Sequence, residues 1–234
     1  MRALKILFED EFLLAADKPA GFYSMPSEDK NLHHSFHWDA LHILEKQKGM
    51  RLYPAHRLDR ATSGVLLLSK RLESNGALQR QFQERTVKKS YLCLVRGKFL
   101  GRSSIDTPLK KENGFPEPAL TQAEALHSFV LPIPGPDGQP RTFTIVRAEP
   151  ETGRFHQIRR HLAGLGFPLL GDSRHGDKKL NRAFQELTGL DRLFLRCISL
   201  ELKHPQSGEP LSLKARFTKE WHQAFERAGY CPLL

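Results

Sequence analysis

Cysteine is scarce in this chain: Cys93, Cys197 and Cys231 are its three, and they stand far apart. The first two lie inside apolar runs that read as buried strands, so neither a disulfide framework nor a cysteine-based zinc site fits. Long apolar runs are lacking as well. No segment approaches the roughly 20 consecutive apolar residues that a membrane-crossing helix needs. The start, Met1-Arg2-Ala3-Leu4-Lys5, runs into Glu9-Asp10-Glu11 without the apolar stretch of a leader. A cytosolic protein with no membrane partner is expected. Internal repeats and low-complexity tracts are missing too, so nothing calls for a linker, and one domain spanning residues 1–234 is expected. Acidic residues are in deficit, 26 against 36 Lys and Arg, for a formal charge of +10. That excess favours a polyanionic partner, nucleic acid above all, although a basic surface also serves solubility and the motifs must decide.

What is present patterns as mixed α and β, with hairpins outnumbering clear βαβ units. Lys5 to Phe8 and Phe12 to Ala16 read as a hairpin, closed by the turn Lys18-Pro19-Ala20-Gly21. Trp38, Leu41 and Leu44 recur at helical spacing, which predicts a helix over about 38–48. Val65 to Leu68 is a continuous apolar run, as in a strand covered on both faces. A helix follows, with Leu78 and Phe82 on one face, and Tyr91 to Arg96 alternates as a strand up to Gly97. Prolines and glycines are dense between Gly101 and Arg141, culminating in Pro132 to Pro140, which reads as a loop joining two strands. Thr142 to Ala148 resumes as a strand and His156 to Leu165 as a helix. Leu193 to Leu202 and Leu211 to Phe217 pair around His204-Pro205-Gln206-Ser207-Gly208. A last helix spans Lys219 to Arg227, with Thr218 capping its start and Gly229 its end.

Three segments carry chemistry. In His56-Arg57-Leu58-Asp59-Arg60-Ala61-Thr62-Ser63-Gly64 an acid stands between two arginines at a strand entrance. Nearby cations favour the ionised carboxylate, which suits Asp59 as a nucleophile or base; the plain alternative is a turn capped by Asp59, Thr62 and Ser63. In Lys88-Lys89-Ser90-Tyr91 a phenol opens a strand, able to stack on a base or relay a proton, or else to pack in the core. In Gly153-Arg154-Phe155-His156-Gln157-Ile158-Arg159-Arg160, His156 shares a helix face with Arg159 and Arg160. Such a cluster binds phosphate or holds a carboxylate, or is simply a solvated cationic face.

Together the three segments resemble the RluA-type pseudouridine synthases, in the same order and at compatible separations, from Lys18-Pro19-Ala20-Gly21 to the Leu211 strand. The continuation Gly171-Asp172-Ser173-Arg174-His175-Gly176-Asp177 with Asn181 is most similar to the tRNA pseudouridine synthase C branch, which modifies uridine 65. The resemblance implies an α+β pseudouridine synthase fold, a largely antiparallel mixed sheet with flanking helices and a basic active-site cleft; many relatives carry an N-terminal S4-like domain, and with the catalytic pattern starting almost at Met1 none is expected. It implies that Asp59 is the catalytic aspartate, Tyr91 the base-stacking and proton-transfer group, and Arg159 the ion-pair partner of Asp59. Arg57 would fill the gap left by the flipped uridine, and Arg60, Lys88, Lys89, Arg154, His156 and Arg160 would contact RNA. No cofactor or metal is implied, because isomerisation consumes nothing, and no obligate protein partner is evident. Asp59 either attacks the ribose or assists proton removal.

Two other readings compete. His33, His34, His37 and His42 crowd one segment, but no suitably spaced cysteines or His-Glu-x-x-His pattern accompanies them. A non-catalytic RNA-binding protein would share the charge, yet an acid at the centre of a basic groove repels phosphate. Within the enzyme reading, ribosomal RNA is the alternative substrate to tRNA.

Overall fold

The computed structural model describes residues 3–26, 39–111, 113–135 and 138–229. Trp38, His33, His34, His37 and Cys231, and Pro136-Asp137 of the proline-rich segment, lie outside these. The chain gathers into two compact units, Met1–Lys89 with Cys197–Ala215, and Ser90–Arg196 with Arg216–Leu234.

In the first unit, β1 (Lys5–Glu9) and β2 (Leu13–Lys18) pair antiparallel as expected, with Lys5 opposite Asp17. The Asp10 carboxylate closes their turn by accepting the N–H groups of Phe12 and Leu13 at 2.8 and 2.7 Å. Helix α1 (Ala40–Lys48) begins where Asp39 accepts the His42 N–H and ends at the left-handed Gly49. It buries Ala40, Ile43 and Leu44 against Leu14, Ala16, Leu66 and Leu68. The short β3 (Tyr53–Pro54) and β2 both pair antiparallel with β4 (Ser63–Ser69), which is buried at every position, as its unbroken apolar run requires. Helix α2 (Leu72–Gln83) follows, with Leu78 fully buried.

The second unit takes most of β5 (Lys88–Arg96) and all of β6 (Arg102–Ile105), β7 (Leu109–Lys110), β8 (Pro116–Glu117), β9 (Thr121–Pro134) and β10 (Pro140–Pro150). Its sheet runs β5-β10-β9-β6, antiparallel at each step. The proline-rich stretch is thus not all loop: β9 extends through Pro132 to Pro134. Its alternation explains this, since Phe129, Leu131 and Ile133 point into the core while Pro132 and Pro134 sit at exposed positions. Strand β6 covers only Thr121 to Glu124 of its outer side, so the missing proline N–H groups interrupt no ladder there.

Helix α3 (Gln157–Gly164) lies where the sequence pattern places it. Helix α4 (Lys178–Thr188) is not among the elements that the sequence pattern marks, although Asp177 caps it and Leu180, Phe184 and Thr188 form its buried face. Strands β11 (Leu195–Lys203) and β12 (Pro210–Lys214) make the expected hairpin, with most of it in the first unit. There β4 neighbours β11. Gly64, at φ +112°, permits the approach, because a Cβ would stand 2.0 Å from the Cys197 carbonyl oxygen. Helix α5 (Lys219–Arg227) closes the chain, its first turn capped by Thr218 and its Trp221 and Phe225 buried beside Phe194.

Candidate active site

The Asp59 turn belongs to the first unit and is laced to the segment that follows β2. Ser24, 5% exposed, donates its hydroxyl to the Leu58 carbonyl at 2.8 Å and accepts the Leu58 N–H at 2.9 Å. On the other side of Asp59, the Arg60 carbonyl accepts the Gly21 N–H at 2.8 Å, while Arg60 Nε donates back to the Gly21 carbonyl at 3.0 Å. The Asp59 carbonyl itself accepts the Thr62 N–H at 3.0 Å. Both neighbours of the acid are therefore pinned, and Asp59 stands half-buried between the exposed Arg57 and Arg60. The Arg60 guanidinium also lies over the Tyr23 ring, 5.2 Å from its centre.

Beneath this turn is an ammonium that the sequence pattern marks only as part of a strand-ending turn. Lys18 is fully buried and donates to the carbonyls of Pro19, Phe22 and Arg60 at 3.0, 2.7 and 3.3 Å. Those acceptors match its three N–H donors. Burial pushes its pKa down to about 7, and the Asp59 charge works in the opposite direction. His56, at the head of the same segment, accepts the Leu67 N–H through Nε2 at 3.0 Å and stacks on Phe82. Of the expected RNA contacts, Lys88 is exposed and Lys89 half-buried; burial, countered in part by Cys197, lowers the Lys89 pKa.

Tyr91, Arg154, His156, Arg159 and Arg160 belong to the second unit. Tyr91 is buried on β5, opposite Ala148 of β10. The start of α3 is held by Gln157, whose amide donates to the Leu120 carbonyl and Thr121 Oγ1 and accepts from Thr152 Oγ1 and the Arg154 N–H. His161 donates from Nε2 to the Thr107 carbonyl at 3.0 Å, so its Nδ1 accepts from the Thr121 hydroxyl. Arg159, 5% exposed, makes a two-pronged pair with Asp172 at 2.7 Å from each of Nε and Nη2. Burial alone would raise the Asp172 carboxyl; the Arg159 contacts and the N–H groups of His175 and Arg174 outweigh it and hold the carboxyl below the usual range. Arg154 is tied to Glu117 and to the Pro118 carbonyl, and Arg160 reaches the Phe155 carbonyl.

Residues 13–164 match the family model described as RNA pseudouridylate synthase. The chain belongs to the RNA pseudouridylate synthase family. It is therefore an isomerase of uridine in RNA, and the segments that matched by pattern lie within or just beyond this stretch. The tRNA pseudouridine synthase C of Salmonella typhimurium is 36% identical over 99% of this chain and 92% of its own length. That of Haemophilus influenzae is 35% identical over 97% of this chain and 98% of its own. Among solved structures, human RNA pseudouridylate synthase domain containing 4 has a TM-score of 0.73 at 22% identity, covering 96% of this chain and 93% of that one. Human domain containing 1 has a TM-score of 0.72 at 24% identity, over 92% and 83%. These two share the α+β fold with its mostly antiparallel sheet. No helix among the described residues is long and apolar enough to cross a membrane.

Pattern reading alone did not single out Lys18 and Ser24 around the Asp59 turn of the first unit, or Asp172 beside Arg159 in the second; Lys18 shows in the sequence only as part of a strand-ending turn, and Asp172 only as part of a Gly-Asp pair in a polar segment.

Proposed function

We propose that this synthase converts one uridine of tRNA, uridine 65 by the resemblance of its 171–181 segment, to pseudouridine with Asp59 as the catalytic carboxylate. The observation that carries the tRNA reading is the near full-length match to relatives named tRNA pseudouridine synthase C. The net charge of +10 suits a polyanionic substrate.

The reaction breaks the bond between N1 of the base and C1′ of the ribose, turns the base, and forms a bond from C5 to C1′. The C5 proton leaves and N1 gains one, so atoms balance without a co-reactant. The uridine must leave its helix first, because C1′ is shielded inside a stack. Arg57, exposed two residues before Asp59, is suited to fill the gap. Asp59 serves as nucleophile at C1′ or as the group that assists proton removal from the ribose. Tyr91 stacks on the base and takes part in proton transfer at C5. The pinned backbone on both sides of Asp59 supports this reading, since a reacting carboxylate needs a fixed position.

Purified protein and its Asp59→Asn variant, incubated with unmodified tRNA and ribosomal RNA transcripts, test the proposal by carbodiimide-dependent reverse-transcriptase stops. A stop at one tRNA uridine, absent with the variant, is the expected result. A stop only on ribosomal RNA would overturn the substrate.

A further inference from the structure

The exposed Phe155 and the Asp172 to Gly176 loop have no part in the chemistry assigned to Asp59, yet several buried contacts bring them together. Asp172, 1% exposed, binds Arg159 of α3 through both oxygens and accepts the N–H groups of Arg174 and His175 at 2.9 Å each. Asn181 of α4 donates to the Asp172 carbonyl at 3.0 Å and accepts the Gly171 N–H at 2.8 Å. Glycine is required at both ends of the loop. A Cβ would lie 1.8 Å from the Arg192 carbonyl oxygen at Gly171, and 2.4 Å from the Asp172 carbonyl oxygen at Gly176. The motif on which the branch resemblance rests thus builds a fixed loop that exposes Ser173 and Arg174 and leaves His175 half-buried.

Arg174 and His175 meet the residues just before α3. His175 Nε2 and His156 Nδ1 are 2.9 Å apart, and the His156 ring lies nearly parallel to Phe155, with centres 3.8 Å apart. The Arg174 guanidinium carbon stands 5.3 Å from the centre of the Phe155 ring. Phe155 is 49% exposed, Arg174 is exposed and His156 is half-buried, so this stack opens to solvent at its guanidinium and benzene. Burial, and then the charges of Arg159, His175 and Arg174, push the His156 pKa down to about 4. His175 is lowered by burial as well. At neutral pH both imidazoles are uncharged and share one hydrogen bond, which leaves Arg174 as the cation of the stack. A guanidinium plane carried on an aromatic ring is a surface on which a nucleobase stacks irrespective of its identity.

We propose that Phe155, His156, Arg174 and His175 form a stacking subsite for one unpaired nucleotide of the RNA substrate other than the isomerised uridine, with Arg174 and Arg160 facing its phosphate. This rests on the reading of RNA as substrate. It assigns the 171–177 segment a task in substrate recognition.

The test is equilibrium binding of an unmodified tRNA transcript at several salt concentrations by wild type, Phe155→Ala, Phe155→Trp and Arg174→Ala, each checked for an unchanged melting temperature. Pseudouridine formation by wild type on the same transcript is read in parallel. Phe155→Ala should weaken binding by about fivefold or more with the salt slope unchanged, and Phe155→Trp should restore it. Arg174→Ala should weaken binding and lower the salt slope by about one. Wild-type affinity in both alanine variants, or equal loss in Phe155→Ala and Phe155→Trp, would overturn the subsite. Binding by wild type with no pseudouridine on any RNA would instead overturn the catalytic reading, and the variant affinities would still decide the subsite.

Discussion

His56 receives the Leu67 N–H on Nε2 while its ring lies flat on Phe82. An imidazolium has no lone pair at that nitrogen, so the native state holds the neutral form. Burial, followed by the Lys89 charge, pushes its pKa down to about 4 from the ordinary 6.5. Between those values the unfolded chain binds a proton that the folded one does not. This contribution to stability is therefore fully present above about pH 6.5 and is lost progressively as pH falls toward 4. Urea unfolding across this window should show His56→Gln, which does not titrate, with a shallower pH dependence than wild type by a single proton's share. An unchanged slope would mean that His56 does not carry it. Residues of this kind were half legible. The His-Arg-Leu-Asp order pointed to Asp59, but nothing in it showed that its histidine accepts a strand N–H.

At the level of elements, the turn that carries Asp59 gains its shape from another segment. Ser24 makes both hydrogen bonds to the Leu58 backbone, and Gly21 and Lys18 hold Arg60. Ser24→Ala would leave a buried N–H and a buried carbonyl without partners, at about 1–3 kcal/mol. Chemical denaturation should register that loss, accompanied by slower pseudouridine formation; a change under about 0.5 kcal/mol would show that the clasp is not required. Helices α2 and α5 were readable from sequence because one buried face repeats, and strands β4 and β5 because their apolar runs are unbroken. Strand β9 was hidden because its prolines suggest a loop, and only its unpaired outer side tolerates them. Helix α4 was legible in principle, from Asp177 and the spacing of Leu180 and Phe184, but its polar surroundings masked the stripe. The Ser24 clasp had no sequence signal, since a hydroxyl far from Leu58 in sequence meets it only in the fold.

For the molecule as a whole, the basic balance, the family match over residues 13–164 and the pinned Asp59 turn converge on one chemistry. Converting uridine to pseudouridine replaces the C5–H bond with a C5–C1′ bond, so the proton at C5 must be released to solvent. The most direct measurement is tritium release from a tRNA transcript labelled at C5 of its uridines. Wild type should release one equivalent per transcript, and Asp59→Asn should release none above background while still binding the RNA. Release by Asp59→Asn at the wild-type rate would contradict the account.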